Sequence, residues 1–354
     1  MRSIGSLGIT AIVFPVIVLL AACTPVTVTP SPVAFGFSEQ EPASGPASIP
    51  AAPTSEPLRF LFPTPAPEPV SGWRPPLYPV PWALTPYDHF YFIRPTPANE
   101  VNWPLADYRY GGVFFRPDLA HTGIDIDAKL GAPVLAAGPG VIVWAGWGFY
   151  SGWPENQDDP YGIAVAIRHD FGYQGKPLYT MYGHMSQVDV AVGQHVETGD
   201  VLGRVGITGH TTGPHLHFEV RLEHNSYFHT RNPELWIVPP QGWGVLAGRL
   251  TDTKNETLNG VNVSVTSYET GRIFWVKSYG QGSVNSDEYY NENLVLGDLP
   301  AGWYTIAIEL DKKTYDAEIE ILPGRVAYFT FKEGKGFTSI GLPKAKPNQQ
   351  TPAP

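Results

Sequence analysis

The chain is nearly devoid of cysteine. A single one stands at position 23 of 354 residues. No disulfide can form within the chain, so the folded part must be held by its cores and by any ion it binds. Charge is scarce too: charged residues are 16% of the total, and 23 Lys and Arg against 33 Asp and Glu leave a formal net charge of −10. Without a cluster of basic residues, nucleic-acid binding and electrostatic adhesion to anionic lipid are excluded as function classes. Long apolar runs are missing. The one from about Ile9 to Leu20 falls short of the ~20 residues that span a bilayer as a helix. Sustained helical periodicity is missing as well. Glycine and proline are plentiful, 37 of each, and aromatics make up 13%. That bias favours turns and short strands, so the fold class expected is mostly β.

The N-terminus reads as an address. Met1-Arg2 gives a positive start, and the apolar run ends in Leu20-Ala21-Ala22-Cys23. Small residues before a cysteine resemble the bacterial lipobox. The resemblance implies a signal peptide over residues 1–22, cleavage before Cys23, and a lipid on its sulfur. The plainer alternative is an ordinary secretory signal with an incidental cysteine. Lipidation is preferred because this is the only cysteine. The localisation expected is therefore exported, lipid-anchored to the cell membrane and facing the cell wall. Residues 23–72 read as a proline-rich tether, with twelve prolines between Thr24 and Gly72. Such a segment extends ~3.1 Å per residue and buries no core. Residues 73–110, rich in aromatics and proline, read as an N-terminal wrap on the first domain.

Residues 111–240 show short apolar runs between glycine turns, such as Gly140-Val141-Ile142-Val143-Trp144-Ala145-Gly146 and Val201-Leu202-Gly203-Arg204-Val205. These are strands. A long polar and aromatic insertion interrupts them between Trp147 and Tyr161. Residues 244–333 alternate with regular turns and predict a small antiparallel β-sandwich. The end, 343–354, is a polar, proline-rich tail.

Two stretches carry chemistry. His215 and His217 flank one leucine in a β-type run, so both imidazoles project from one face. In His121-Thr122-Gly123-Ile124-Asp125 a histidine and a carboxylate stand four apart, with Gly123 allowing a tight approach. Two histidines and one aspartate supply the three protein ligands of a catalytic zinc site, leaving the fourth position to water. Taken singly, each stretch is as well explained by a buried structural histidine.

Together they have a pattern. His121-Thr122-Gly123-Ile124-Asp125, then Tyr182-Gly183-His184-Met185-Ser186, then Gly213-Pro214-His215-Leu216-His217-Phe218-Glu219 follow in order. Gly131-Ala132-Pro133-Val134 and Val192-Gly193-Gln194-His195-Val196-Glu197-Thr198-Gly199-Asp200 lie between them. This text, over roughly residues 111–235, resembles the lysostaphin-type, or LytM-like, zinc endopeptidases. The resemblance implies an antiparallel β-sheet peptidase domain with a groove. It implies one zinc ion on His121, Asp125 and His217, and catalytic roles for His184 and His215. It implies hydrolysis of peptide bonds in the stem or cross-bridge peptides of peptidoglycan. The alternatives are a protease of glycine-rich extracellular proteins and a non-catalytic cell-wall-binding scaffold; the presence of all five residues argues against the latter. The insertion at 147–161 is the departure from the family. The block opening Gly248-Arg249-Leu250-Thr251-Asp252 resembles carboxypeptidase-regulatory-like or CnaB-like sandwiches, which implies a spacer or binding module.

The remaining histidines get plain assignments. His89, His224 and His229 read as surface or loop residues, His169 as the end of a strand, and His195 and His210 as turn residues. Glu219 shares the face of His217 by the two-residue period, so it either supports that ligand or lines the groove in contact with solvent.

Overall fold

A computed structural model describes residues 76–97, 108–113, 119–282 and 284–343, all of which belong to one compact unit. The segments expected to be a signal peptide and a tether, with Cys23, and the tail beyond Pro343 lie outside the described residues.

The first nine strands form one sheet. They are β1 (Ile124–Asp127), β2 (Pro133–Leu135), β3 (Gly140–Gly146), β4 (Ile163–Tyr173), β5 (Lys176–Val188), β6 (His195–Val196), β7 (Val201–Val205), β8 (His215–Leu222) and β9 (Thr230–Arg231). The path is β1-β8-β5-β4-β3-β6, with β7 pairing β5 and β2, and β9 pairing β8. Every pairing among them is antiparallel. β4 and β5 are longer than their apolar runs suggest. They continue through His169-Asp170-Phe171-Gly172 to a two-residue turn at Gln174 and Gly175, with φ of 50° and 76°. Two left-handed residues in succession give the turn whose twist matches paired strands.

The next eight strands form two four-stranded sheets. They are β10 (Trp243–Thr251), β11 (Asn262–Ser267), β12 (Ile273–Lys277), β13 (Leu294–Pro300), β14 (Gly302–Leu310), β15 (Lys313–Ile321), β16 (Val326–Lys332) and β17 (Gly336–Ile340). Their orders are β13-β10-β16-β17 and β12-β11-β14-β15. Inward residues such as Val263, Val265, Ile306 and Ile308 alternate with exposed or half-buried neighbours, as a sandwich layer requires. Two details differ from the sequence expectation. β17 carries the sandwich past residue 333. β10 runs parallel to β16, because the chain reaches β16 from the opposite sheet and no hairpin fixes its direction.

Of residues 76–97, those from Asp88 to Thr96 are mostly interior. Phe90 and Phe92 are fully buried and share one core with Trp236 of the first half and with Tyr290 and Tyr328 of the sandwich. Backbone bonds hold them: Phe92 N–H donates to Trp236 O at 3.0 Å, and Val238 N–H to Phe92 O at 2.8 Å. The Trp82 indole N–H donates to Gly324 O at 3.0 Å. Burying each phenylalanine contributes about 2–3 kcal/mol. His89 is therefore not a surface residue. It is 1% exposed, bonded to Tyr87 O at 2.8 Å and 3.4 Å from the Asp287 carboxylate. The aromatic wrap encloses it, which a histidine between prolines and tyrosines does not advertise.

Ion pairs gather where the two halves meet. Arg94 pairs with Asp298, and Arg109 with Glu234, whose carboxylate also accepts Gly297 N–H. Arg231 of β9 holds Glu288 at 2.6 Å. Beside them Glu292 is fully buried, accepting Tyr279 OH at 2.9 Å and Asp287 N–H at 2.8 Å. Burial, aided by the Asp287 charge, pushes its carboxyl up to about 8 from 4.5. The folded protein thus holds this proton more tightly than the unfolded chain. The resulting stability is complete below pH 4.5 and is lost as pH rises toward 8, at about 1.4 kcal/mol per pH unit. Chemical denaturation across pH 4.5–8 checks this: Glu292→Gln should flatten the decline, leaving slopes due to other groups.

Candidate metal centre

β1 and β8 lie side by side in a register that sets Asp125 opposite His217. His121 sits just before β1, so the chain turning into that strand brings it over the same spot. Gly123 is required at this crossing: a Cβ there would meet Phe218 O at 2.4 Å. His121 Nε2, Asp125 Oδ1 and His217 Nδ1 form a triangle. Its edges are 3.0 Å between the nitrogens, 2.9 Å from His217 to Asp125 and 3.2 Å from His121 to Asp125. All three residues are buried or nearly so.

The other ring nitrogens decide what those atoms present. His121 Nδ1–H donates to Arg109 O at 3.3 Å, and His217 Nε2–H donates to Glu219 Oε1 at 3.1 Å. With those protons assigned, two nitrogen lone pairs and a carboxylate oxygen point at one another at close range. A positive charge at the centre relieves that repulsion, either a metal ion or a proton on His217, whose pKa burial lowers but Asp125 and Glu219 hold up to about 9. Ligands about 2.0–2.1 Å from a tetrahedral ion stand about 3.3 Å apart, close to the observed edges. Two imidazoles with one carboxylate suit zinc and its transition-metal neighbours; magnesium and calcium prefer all-oxygen sets. The residues fit the ion that the resemblance implies.

Glu219 is fully buried beneath this triangle. Its Oε1 accepts Thr122 Oγ1–H at 2.6 Å and Tyr161 O–H at 2.8 Å, besides His217. Its Oε2 accepts Arg221 Nε–H at 2.7 Å. Burial raises its pKa, but the Arg221 charge and these bonds outweigh burial and hold it below the ordinary carboxylate range. Of the two expectations for Glu219, contact with solvent is corrected and support of His217 is what the geometry shows. Thr122, Tyr161 and Arg221 were not singled out in the sequence. Arg221 was within reach, since His215, His217, Glu219 and Arg221 follow at two-residue intervals along β8.

His184 and His215 stand next to the triangle, their rings 4.7 Å apart. His184 has φ of 59°, and a register shift follows it in β5. A left-handed residue in a strand re-aims its side chain and is a strained feature typical of functional sites. His184 Nδ1–H donates to Thr208 O at 2.8 Å, and His215 Nδ1–H to Gly213 O at 2.9 Å. Both then carry the lone pair on Nε2. His215 Nε2 is buried without a hydrogen-bond partner, 3.4 Å from Asp125 Oδ2. Burial pushes His184 down to about 3 and lowers His215 as well.

The structure thus brings together all five expected residues. A groove over them is walled by Tyr150, Tyr161, Tyr227 and Tyr108. His210 also lines it, while His169 is buried on Pro139 O and Thr180, and His195 is an exposed partner of Asp170.

Residues 119–229 match peptidase family M23. The chain is 43% identical over 130 residues to the DD-carboxypeptidase/endopeptidase Mpg of Neisseria meningitidis serogroup B, covering 37% of this chain and 26% of that protein. It is 32% identical over 135 residues to lysostaphin of Staphylococcus simulans, covering 38% of this chain and 24% of that protein. The match thus spans about a quarter of either relative. The catalytic domain of S. simulans lysostaphin, a solved structure, aligns at 31% identity over 36% of this chain and 86% of its own, with a TM-score of 0.31.

The buried carboxylate yields an expectation about metal affinity. Glu219→Gln keeps the shape but loses the charge that Arg221 and His217 share. Loss of such a support for a ligating histidine costs roughly 10–100-fold in metal affinity. Competition with a fluorescent zinc chelator should show this drop, with near-UV circular dichroism reporting that the fold persists.

Proposed function

We propose that this chain is a zinc-dependent endopeptidase that hydrolyses peptide bonds in peptidoglycan stem or cross-bridge peptides. One observation carries the metal assignment: the lone-pair triangle of His121, Asp125 and His217, with each histidine's other nitrogen donating to a fixed acceptor. The substrate class is drawn from the relatives, whose names include a DD-carboxypeptidase/endopeptidase and a glycyl-glycine endopeptidase. Placement at the cell surface rests on the sequence ending in Cys23 and on the proline-rich stretch after it. The sandwich is read as a spacer or binding module.

Zinc, when held by the three ligands, polarises a scissile carbonyl and lowers the pKa of its water to ~7. The chain's own residues do the rest. His184 and His215 carry unprotonated Nε2 atoms fixed by backbone carbonyls, so either is set to accept a proton at Nε2. In its protonated form the same nitrogen stabilises negative charge on the carbonyl oxygen and then protonates the leaving amine. The two divide these roles. Glu219 keeps the His217 ring oriented with its proton on Nε2. The tyrosines wall the groove beside these groups.

Metal analysis and zymography on purified cell wall test the reading together. His217→Ala should lose zinc. His215→Ala should retain it and lose ~10²–10⁴-fold in turnover. Clearing by the unaltered protein should vanish with a chelator and return with added zinc. Full zinc in His217→Ala refutes the ligand set. Wall binding without clearing, in zinc-loaded protein, refutes the activity.

A further inference from the structure

One side chain ties the two ends of the insertion at 147–161 together. Asp159 is fully buried. Its Oδ2 accepts Tyr150 N–H at 2.9 Å, Ser151 N–H at 3.0 Å and Ser151 Oγ–H at 3.2 Å, and its Oδ1 accepts Tyr161 N–H at 3.2 Å. The carboxylate thus ties the start of the loop to its end. Gly148 has φ of 80°, and a Cβ on it would lie 1.7 Å from Trp153 O, so the loop's first turn closes on itself. Phe149 packs against Trp144 and beneath the Arg221 guanidinium, 4.8 Å from the ring centroid. A long loop with these internal bonds behaves as a fixed part of the wall.

What the lock presents is Tyr150. Its ring stands perpendicular to Tyr227 at 5.7 Å and beside Tyr161 at 6.2 Å, and all three line the groove over the metal ligands. Tyr150 is 57% exposed, an aromatic surface left open toward the groove. Among the described residues that line the groove, none apart from Asp125 and the histidines is charged at neutral pH. A charged side chain entering there would lose water and meet, among those residues, no charged partner other than the metal-site groups.

Resting on the function proposed above, we infer that Tyr150 and Tyr227 form the subsite that seats an uncharged peptide residue near the scissile bond, and that Asp159 is the positioning residue that holds Tyr150 there. The loop acts on binding, and the metal and its histidines act on the bond.

The test uses zinc-loaded protein and two probes: a D-alanine-to-diaminopimelate cross-linked dimeric muropeptide and a pentaglycine peptide. Binding is measured by calorimetry and cleavage by mass spectrometry. For the probe that binds, Tyr150→Ala should weaken binding and raise KM about tenfold, the worth of one aromatic contact, with kcat within about twofold. Tyr150→Phe, which keeps the ring, should restore both. Asp159→Ala should copy Tyr150→Ala, keep its zinc, and expose the loop to limited proteolysis between residues 150 and 158. Adding a lysine or glutamate to the pentaglycine probe beside the cleaved bond should weaken binding to the unaltered protein more than to Tyr150→Ala. If the unaltered protein binds neither probe, this inference and the proposed function both fall. If it binds without cleaving, the function alone falls. If it binds and cleaves while Tyr150→Ala and Asp159→Ala match it in KM, this inference alone falls. Loss of zinc and kcat together in both variants also overturns it, since the loop would then be supporting the metal.

Discussion

A fully buried carboxylate governs the site. Removing Glu219 from water costs several kcal/mol, and the charge survives only because Arg221, Thr122, Tyr161 and His217 donate to it. Each donor is fixed in turn. Arg221 lies two residues along the same strand, Thr122 follows His121, and Tyr161 ends the insertion loop. The need to satisfy one carboxylate therefore gathers three separate segments under the metal triangle. It also sets the proton of His217 on Nε2, which is what leaves Nδ1 available as a ligand. Without that constraint the two strands would still pair, but the imidazole would have no reason to present the right nitrogen.

Much of this was legible where strand periodicity applies. His215, His217, Glu219 and Arg221 fall on one face of β8 because side chains alternate with a period of two. The family resemblance carried by the order of His121, Asp125, His184, His215 and His217 singled out the five residues that the fold brings together, and the mostly β architecture followed from glycine-bounded apolar runs. What stayed hidden depends on non-local contacts. His184 adopts a left-handed conformation at a register shift, which no local propensity predicts. His89 looked like a surface residue because its burial comes from Trp236 and Tyr290, far away in sequence. The parallel pairing of β10 with β16 is likewise a property of the path between sheets.

The two halves are joined more firmly than a tethered pair of modules. Phe90 and Phe92 sit in a core shared by both. Arg94, Arg109 and Arg231 each reach a carboxylate of, or bonded to, the partner half. Breaking one buried pair leaves an uncompensated charge at a cost of about 3–5 kcal/mol, so sliding of one half on the other is disfavoured. The contact has a route to the groove. Arg231 belongs to β9, the strand that follows Tyr227 by a few residues, and Arg109 O receives the His121 imidazole proton. The sandwich thus braces the two ends of the site that lie outside the central strands.

Rigidity is distributed unevenly across this site, and for a physical reason. Groups that must face one ion within tenths of an ångström come from β1, β8 and the segment entering β1, where ladder hydrogen bonds and register hold the backbone. Groups proposed to contact a substrate come from the insertion and from the turn bearing Tyr227, where sequence can change without disturbing the sheet. Asp159 reconciles the two demands. It gives a loop the fixity of a strand, while Tyr161, two residues on, ties that same loop to Glu219 beneath the metal ligand. The wall proposed to seat the substrate and the carboxylate that orients His217 are therefore two ends of one short segment. Any change in the length of that segment must leave both Asp159 and Tyr161 in place, which confines variation to the exposed tip between Ser151 and Asp158.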